Sequence, residues 1–252
     1  MGLKSLEILA EEACCAALSN LSGSKATVAS AGLLQAYLRH HVLTRLTEGV
    51  NLTEDEEKCA IEAYRRLRRL QDDGAVSKYL VSNQLLPEDF RILACLPAKN
   101  EILAIQHFEA QTQACFLERK SLLDRVIYRV IAVEHQGLAR EVFLRANESE
   151  EPFISLVDRF SQGPERSTNG LVGPLPVGSC HPVIATQLRH LTPGSISAPF
   201  RINRWWLILQ LESLVPARLD EQLVKQLSME LFDTWLNACI HSVLSSVQLQ
   251  HN

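Results

Sequence analysis

The sequence predicts an α+β protein in which a small domain of strands and helices is inserted between N- and C-terminal helices. Leucine and alanine recur at spacings of three and four through the first third, and proline is absent before Pro87. A run rich in β-branched residues, RVIYRVIAV at 125–133, is short enough to be a buried strand. Helical spacing returns from Asp220 onward. We therefore expect a helical domain at 1–124, a mixed domain at 125–214 and a C-terminal helix at 215–252 that packs on the first domain.

The N-terminal region is predicted to contain several helices. Thr53 and Glu56 have the spacing of a capping box, in which a hydroxyl and a carboxylate each bond an unpaired amide at a helix start. Asp73-Gly74 is predicted to form a turn, and Pro97 is a candidate break in a long final helix. The predicted helices span 3–20, 25–47, 53 to about 72, about 77 to 87, and 87–123.

The mixed domain is predicted to begin with the strand at 126–133 and to end with two more strands. A segment rich in Gly, Pro, Ser and Asn at 161–178 is predicted to be a loop, and Thr192-Pro-Gly-Ser195 a turn. The other predicted elements are helices at 136–148, from Pro152 onward and at 182–190, and strands at 196–202 and 205–212.

The C-terminal segment is predicted to be one amphipathic helix from Asp220 to about Leu244. Leu223, Leu227, Leu231 and Trp235 are spaced by four and form one apolar stripe. The stripe needs a partner, which we expect to be the N-terminal helices. Residues 245–252 are expected to fray.

Composition and charge disfavour several functional classes. The chain is 46% hydrophobic and 21% charged, and its net charge of -4 gives no general reason to expect nucleic acid as a partner. The arginines at 65, 66, 68 and 69 could bind phosphate, but the favoured interpretation is a solvated helix face with ion pairs. No segment has the roughly 18–20 consecutive apolar residues that span a bilayer, so we expect no membrane insertion.

Seven scattered cysteines without a CxxC pair predict reduced thiols and no metal site. No basic segment leads into an apolar stretch at the N-terminus, so we expect no signal peptide and a cytoplasmic protein. Cys180-His181 is interpreted as a chance pairing, because adjacent residues rarely point at one another. Of Trp205-Trp206, at least one is expected in the core, since neighbours in a strand face opposite sides.

Four segments, in order and spacing, resemble a parvulin-type (PpiC, rotamase) peptidyl-prolyl isomerase domain. They are Tyr128-Arg-Val-Ile, the loop Asn169-Gly-Leu-Val-Gly173, the phrase Leu191-Thr-Pro-Gly-Ser-Ile-Ser-Ala-Pro199 and the strand Trp206-Leu-Ile-Leu-Gln-Leu-Glu212. The helical N-terminus and the helix after Leu219 look like the cyanobacterial SurA-like proteins. The resemblance implies binding of proline-containing peptides or client proteins, cis/trans isomerisation and a chaperone-like role, with no cofactor.

The family's polar residues are replaced at the matching positions. The two histidines of active parvulins fall on Val130 and Leu207, and a Cys or Asp falls near Gly163. The apolar pocket positions fall near Val172, Ser179 and Val183, where the family prefers Leu, Met and Phe; Arg204 and Gln162 are candidate replacement polar groups. Replacing both members of a buried hydrogen-bonded pair with apolar groups can leave protein stability nearly unchanged. The fold can therefore persist after the catalytic groups are lost.

Two hypotheses follow. The protein is a SurA-like isomerase-family member that binds proline-containing segments with weak or degenerate activity. Alternatively, it is a non-catalytic adaptor that uses the parvulin fold, for example in secretion or assembly. The sequence favours neither, and it predicts neither the client nor the oligomeric state.

Overall fold

The computed structural model describes residues 2–21 and 23–249. The chain divides into two units, of which the first combines residues 1–113 with 220–252 and the second contains residues 114–219. Each unit has its own hydrophobic clusters. The α+β class predicted from the sequence is confirmed.

The first unit is helical. Its elements are α1 (Leu3–Asn20), α2 (Lys25–Ser30), α3 (Leu34–Leu46), α4 (Glu54–Leu67), α5 (Asp73–Asn83), the first part of α6 (Pro87–Leu123) and α10 (Glu221–Leu249).

The start of α4 has the predicted capping box. The backbone N–H of Glu56 donates to the Thr53 hydroxyl at 3.3 Å, and the N–H of Thr53 donates to the Glu56 carboxylate at 2.8 Å. These bonds pair amides that have no partner within the helix, and they lower the pKa of the Glu56 carboxyl. The local sequence thus fixes where this helix begins.

The predicted single helix at 25–47 is wrong, because Gly32 interrupts it. Gly32 has a φ of +71°, which a glycine adopts without steric cost. Its N–H donates to the carbonyl of Ala29, and the N–H of Leu33 donates to that of Val28, which is the Schellman pattern of a helix end. The chain therefore forms α2 and α3 with a turn between them.

The boundary between α4 and α5 also differs from the prediction. α4 ends at Leu67 and not near residue 72, with Arg69 in the left-handed region at φ +58°. The Asp72 carboxylate then accepts the N–H of Ala75 at 2.7 Å, so α5 begins at Asp73 where a turn was predicted. Aspartate is a preferred N-cap, and this local bond outweighs the turn preference of Asp-Gly.

The long helices α6 and α10 build the core of the first unit with α1 and α3. α6 continues through Pro97 without the candidate break. In α10, Phe232, Leu236 and Ile240 are almost fully buried against α1 and α3, while Leu231 and Trp235 are partly buried at the edge of this core. The C-terminal helix thus packs on α1 and α3, and it extends beyond Leu244 to Leu249; residues 250–252 of the segment expected to fray lie outside the described residues.

The second unit contains a four-stranded antiparallel sheet with helices. After the end of α6 it comprises β1 (Arg125–Val133), α7 (Gln136–Asn147), α8 (Phe153–Phe160), β2 (Leu171–Pro176), α9 (Pro182–Arg189), β3 (Phe200–Ile202) and β4 (Trp205–Val215), with short 3-10 helices at Pro164–Thr168 and Val177–Ser179. The strand order is β2-β1-β4-β3. β1 and β4 are therefore the central strands.

The strand β2 was missed, since the sequence predicted a loop at 161–178. β2 contains Gly173, Pro174 and Pro176, which are unfavourable within a sheet. It lies at the edge of the sheet and pairs only with β1, where proline is tolerated. The strand predicted at 196–202 is shortened to β3, with a single bridge between Ile196 and Gln210, because Pro199 has no N–H to donate.

The sheet has an apolar cluster on each face. α7 and α8 cover one face, where Ile131, Val133 and Ile208 are buried with them. α9 covers part of the other, where the buried residues of β1 and β4 meet Ala185 and Leu188. No helix within the described residues is long and apolar enough to cross a membrane.

Candidate functional site

The second face of the sheet, which we call the α9 face, contains the sequence-predicted site positions on β1 and β4. Because side chains alternate along a strand, every second residue of β1 points to this face. The strand residues of the α9 face are Val126, Tyr128, Val130 and Ala132 of β1 and Leu207, Leu209 and Leu211 of β4.

Val130 and Leu207 lie on neighbouring central strands and on the same face. Val130 pairs with Leu209, and Leu207 pairs with Ala132, so the two are diagonal neighbours across the antiparallel ladder. Both are buried, at 5% and 8% exposure, within one apolar cluster. The two positions to which the resemblance assigns histidines are therefore filled by aliphatic side chains that belong to the core.

Gly163 lies at the edge of the same face, beside Ala132. A methyl group built at Gly163 would be 3.1 Å from the Ala132 Cβ and 2.6 Å from Oε2 of Glu165. The space that a side chain at position 163 would occupy is thus taken by the Glu165 carboxylate. No sequence pattern predicts this contact, because Glu165 reaches the position by folding back over a 3-10 turn.

The residues predicted to bind peptide lie on the elements that border the α9 face. Val172 of β2 pairs with Tyr128 and packs partly buried against the α9 face. Val183, in the first turn of α9, is 39% exposed, and Ser179 is exposed just before this helix. Arg204 is in the turn before β4, with its guanidinium 4.8 Å from the centre of the Trp205 ring. Their role in binding stays a prediction.

Tyr128 and Cys180 add two polar groups that sequence reasoning did not select. Tyr128 is 5% exposed, and Cys180 packs against the same apolar cluster. Burial raises the pKa of Tyr128 and that of Cys180, so both groups are protonated and uncharged at neutral pH. The available signal was positional, since Tyr128 is two residues before Val130 and must share its face.

Backbone geometry at Gly170 fixes the loop that borders the site. The N–H of Val130 donates to the Gly170 carbonyl at 2.9 Å. Gly170 has a φ of +75°, and a methyl group there would be 2.7 Å from the Val130 carbonyl oxygen. The Arg129 guanidinium donates to the Asn169 carbonyl at 2.8 Å and to Glu212 at 2.6 Å, so the loop is tied to both central strands.

Other polar candidates have structural partners. His181 caps α9, where its Nδ1 accepts the N–H of Val183 at 3.3 Å, so it does not form a dyad with Cys180. The side-chain oxygen of Gln162 accepts the N–H of Glu134 at 3.1 Å beyond the end of β1. Within the described residues, no three His, Cys, Asp or Glu side chains are grouped to hold a metal ion.

The two tryptophans of β4 and two of the arginines at 65–69 also have identifiable partners. Trp205 packs against the α9 face and Trp206 against the opposite cluster, as strand alternation predicts. In the helical unit, Arg65 forms an ion pair with Asp73 at 3.0 Å, and the Arg68 guanidinium lies 5.4 Å from the centre of the Tyr64 ring. These contacts match the expected solvated helix face.

Comparison with protein families identifies the second unit. The model of the Rotamase family, the PPIC-type PPIASE domain, matches residues 132–213. The chain carries a PPIC-type PPIase domain. The matched segment of this domain begins near the end of β1, includes Gly163, Val172 and Val183, and closes within β4. The resemblance to a parvulin-type domain is thereby confirmed, and three of the four sequence segments lie within the matched residues.

Solved structures of similar proteins include two PrsA peptidylprolyl isomerases. That from Bacillus anthracis is 16% identical with a TM-score of 0.48, and the match covers 86% of this chain and 97% of that chain. That from Bacillus cereus is 17% identical with a TM-score of 0.49, covering 84% and 82%. A SurA-like chaperone structure from Campylobacter jejuni is 18% identical with a TM-score of 0.37, covering 77% and 85%. No curated protein matches the chain.

The chemistry available to the PPIC-type domain is limited by these side chains. Rotation about a peptide bond has a barrier of about 18–20 kcal/mol, and an enzyme lowers it only through contacts that are stronger in the twisted state. The side chains of Val130 and Leu207 are buried in the core and cannot hydrogen-bond a substrate amide. Polar groups near them include the Tyr128 hydroxyl, the Cys180 thiol and the Glu165 carboxylate.

Proposed function

We propose that this protein binds proline-containing polypeptide segments on the α9 face of its PPIC-type domain, in a chaperone-like role, with slow isomerisation at most. The observation that carries the proposal is the burial of Val130 and Leu207 as neighbouring members of one apolar cluster. An apolar surface favours a proline ring, and the polar groups needed to stabilise a twisted amide are absent from these two central positions.

Exposed apolar surface beside the cluster supports the binding half of the proposal. Val183 keeps 39% of its surface exposed although α9 buries Ala185 and Leu188. Val172 is only partly buried at the same face. A ligand that covers such surface gains roughly 25 cal/mol per Å² of apolar area removed from water, before the costs of association. These two valines are therefore where we place the proline ring.

A non-catalytic adaptor is the second candidate function, and the burial of Tyr128 favours it. Because Tyr128 is only 5% exposed, its hydroxyl offers little surface to a substrate amide. An adaptor requires only a stable scaffold and a recognition surface. The two candidates differ in whether an isolated Xaa-Pro peptide binds and exchanges faster.

The test is NMR exchange spectroscopy on short Xaa-Pro peptides with the full chain. We expect peptide shifts that report binding, with cis/trans exchange enhanced only when protein is present in amounts comparable to the peptide. Rapid exchange at substoichiometric protein would overturn the slow-isomerase assignment. Absence of any binding at high protein concentration would leave the adaptor.

A matched pair of variants locates the binding surface. Val183→Asp places a carboxylate in the first turn of α9, and Ile154→Asp makes the same change in the first turn of α8, on the other side of the sheet. The two side chains are 39% and 45% exposed. Binding should be lost in Val183→Asp and retained in Ile154→Asp; retention in both would refute the placement on the α9 face.

The same proposal places the protein in the cytoplasm. All seven cysteines are free thiols, which suits a reducing compartment. Fractionation of cells that express the native chain is the direct measurement.

A further inference from the structure

The Glu165 carboxylate lies at the apolar edge of the α9 face. A methyl carbon built at Gly163 would lie 2.6 Å from Oε2 of Glu165 and 3.1 Å from the Ala132 Cβ. The Glu165 Oε2 and the Ala132 Cβ are therefore no more than about 6 Å apart. Ala132 pairs with Leu207, which is in the centre of the face. The negative charge is therefore beside the surface to which we assign peptide binding.

The backbone of Glu165 is held in place by its neighbours. Its carbonyl oxygen accepts the N–H of Gly170 at 2.8 Å and the hydroxyl of Thr168 at 3.0 Å. The 3-10 turn that carries it begins at Gly163, whose lack of a side chain leaves room for the carboxylate. The backbone that carries the charge is thus held in place before any ligand binds.

The nearby arginines are engaged elsewhere. Arg129 binds Glu212 at 2.6 Å and Arg166 lies 3.6 Å from Asp158. Arg204 lies against Trp205 and, at 3.9 Å, beside Glu134. Among the residues that the structure describes, none forms an ion pair with the half-buried Glu165 side chain. A carboxylate that has no cationic partner within the protein can pair with a cationic group of a ligand.

We propose that Glu165 is a specificity-determining residue, which binds the cationic side chain of a lysine or arginine that flanks proline in the bound segment. The inference rests on the proposed function and names its substrate class: basic, proline-containing segments. The carboxylate lies close enough to the face for a neighbouring side chain to reach it while the proline ring packs on Val172 and Val183. Glu165 raises the pKa of Tyr128 as a minor contribution after burial and Cys180, which agrees with its position near the hydroxyl.

The expected effect is moderate because Glu165 is only half-buried. Exposed ion pairs contribute little and partial burial strengthens them, so we expect a roughly three- to tenfold preference for a basic over a neutral peptide. The preference should decrease with ionic strength, because salt screens a pair that solvent reaches. An acidic peptide should bind more weakly than the neutral one.

The experiment measures the affinity of the full chain for three peptides that differ only at one residue next to proline, which is Lys, Gln or Glu. NMR titrations at about 50 and 300 mM salt give the dissociation constants. Glu165→Gln should remove the Lys preference and leave Gln-peptide binding nearly unchanged. Glu148→Gln, an exposed substitution at the end of α7, is the control and should keep the wild-type ranking.

The outcomes separate this inference from the proposed function. Equal binding of all three peptides, or an unchanged Lys preference in Glu165→Gln, would overturn the role of Glu165 while peptide binding stands. Failure of all three peptides to bind would overturn both the proposed function and the specificity that rests on it. A Lys preference that disappears only in Glu165→Gln would support both.

Discussion

Replacing Gly170 with alanine tests the backbone geometry at the border of the site. Gly170 and Gly194 both have positive φ angles, +75° and +87°. A methyl group at Gly170 would be 2.7 Å from the Val130 carbonyl oxygen and 2.9 Å from Cγ2 of Val157, whereas at Gly194 nothing lies within 4 Å. The two positions share the backbone conformation and differ in the space around it.

The difference between the two variants isolates the steric cost. Forcing an L-residue into the left-handed region costs about 1–2 kcal/mol, which applies to both. Crowding in a packed region adds roughly 1–3 kcal/mol, which applies to Gly170 only. We therefore expect Gly194→Ala to lower the free energy of unfolding by about 1–2 kcal/mol and Gly170→Ala by about 2–5 kcal/mol.

Urea unfolding of the full chain, followed by tryptophan fluorescence, measures these values. A Trp235→Phe background leaves Trp205 and Trp206, both in β4, as the reporters of the PPIC-type domain. Equal destabilisation of this domain by Gly170→Ala and Gly194→Ala would contradict the close approach of the Gly170 loop to β1.

Two further predictions use burial and pKa. At pH 8 an Ellman reaction should label the exposed thiols of Cys15 and Cys59 first. Burial raises the pKa of Cys14 to about 11, which leaves only about 0.1% of this thiol as thiolate. Cys15→Ser should remove a fast phase of the reaction, and a similar loss in Cys14→Ser would contradict the assigned burial of Cys14. Burial also raises the pKa of Tyr128 in the folded state, so above pH 10 the unfolded state loses this proton first and stability falls as pH rises. Urea unfolding at pH 8 and pH 10.5 should show a smaller loss in Tyr128→Phe than in the wild type, and an equal loss would show that Tyr128 ionises as freely in the folded protein.

The elements that the sequence predicted best are those with a strong local cause. The capping box at Thr53 and Glu56 pairs backbone amides within four residues, and β1 is a run of β-branched residues that only a strand accommodates well. β2 escaped prediction because its Gly and Pro residues indicate a loop, and only its pairing with Val126 and Tyr128 of β1 makes it a strand. Tertiary pairing, which local sequence does not encode, decided that element.

The site likewise has one part that could be predicted from the sequence and one part that could not. That Val130 and Leu207 share a face follows from strand alternation once the two strands are known to be neighbours. The approach of Glu165 to Gly163 depends on a 3-10 turn and on the absence of a side chain two residues earlier, and no periodicity in the sequence marks it. A contact that a side chain makes by folding back over a short turn cannot be predicted from sequence periodicity, and it is found only from the structure.

The burial of Val130 and Leu207 bears on what a histidine at either position would cost the fold. A single imidazole there would be inserted into an apolar cluster with Leu209 and Leu211, and a buried polar group without a partner costs about 1–3 kcal/mol. Two aliphatic side chains avoid that cost. Introducing a histidine pair one residue at a time would therefore pass through a destabilised protein, whereas a substitution at the edge, such as one at Glu165, leaves the core unchanged. Selection on such a scaffold acts most easily on what it binds, which is why we place the specificity of this domain at its rim.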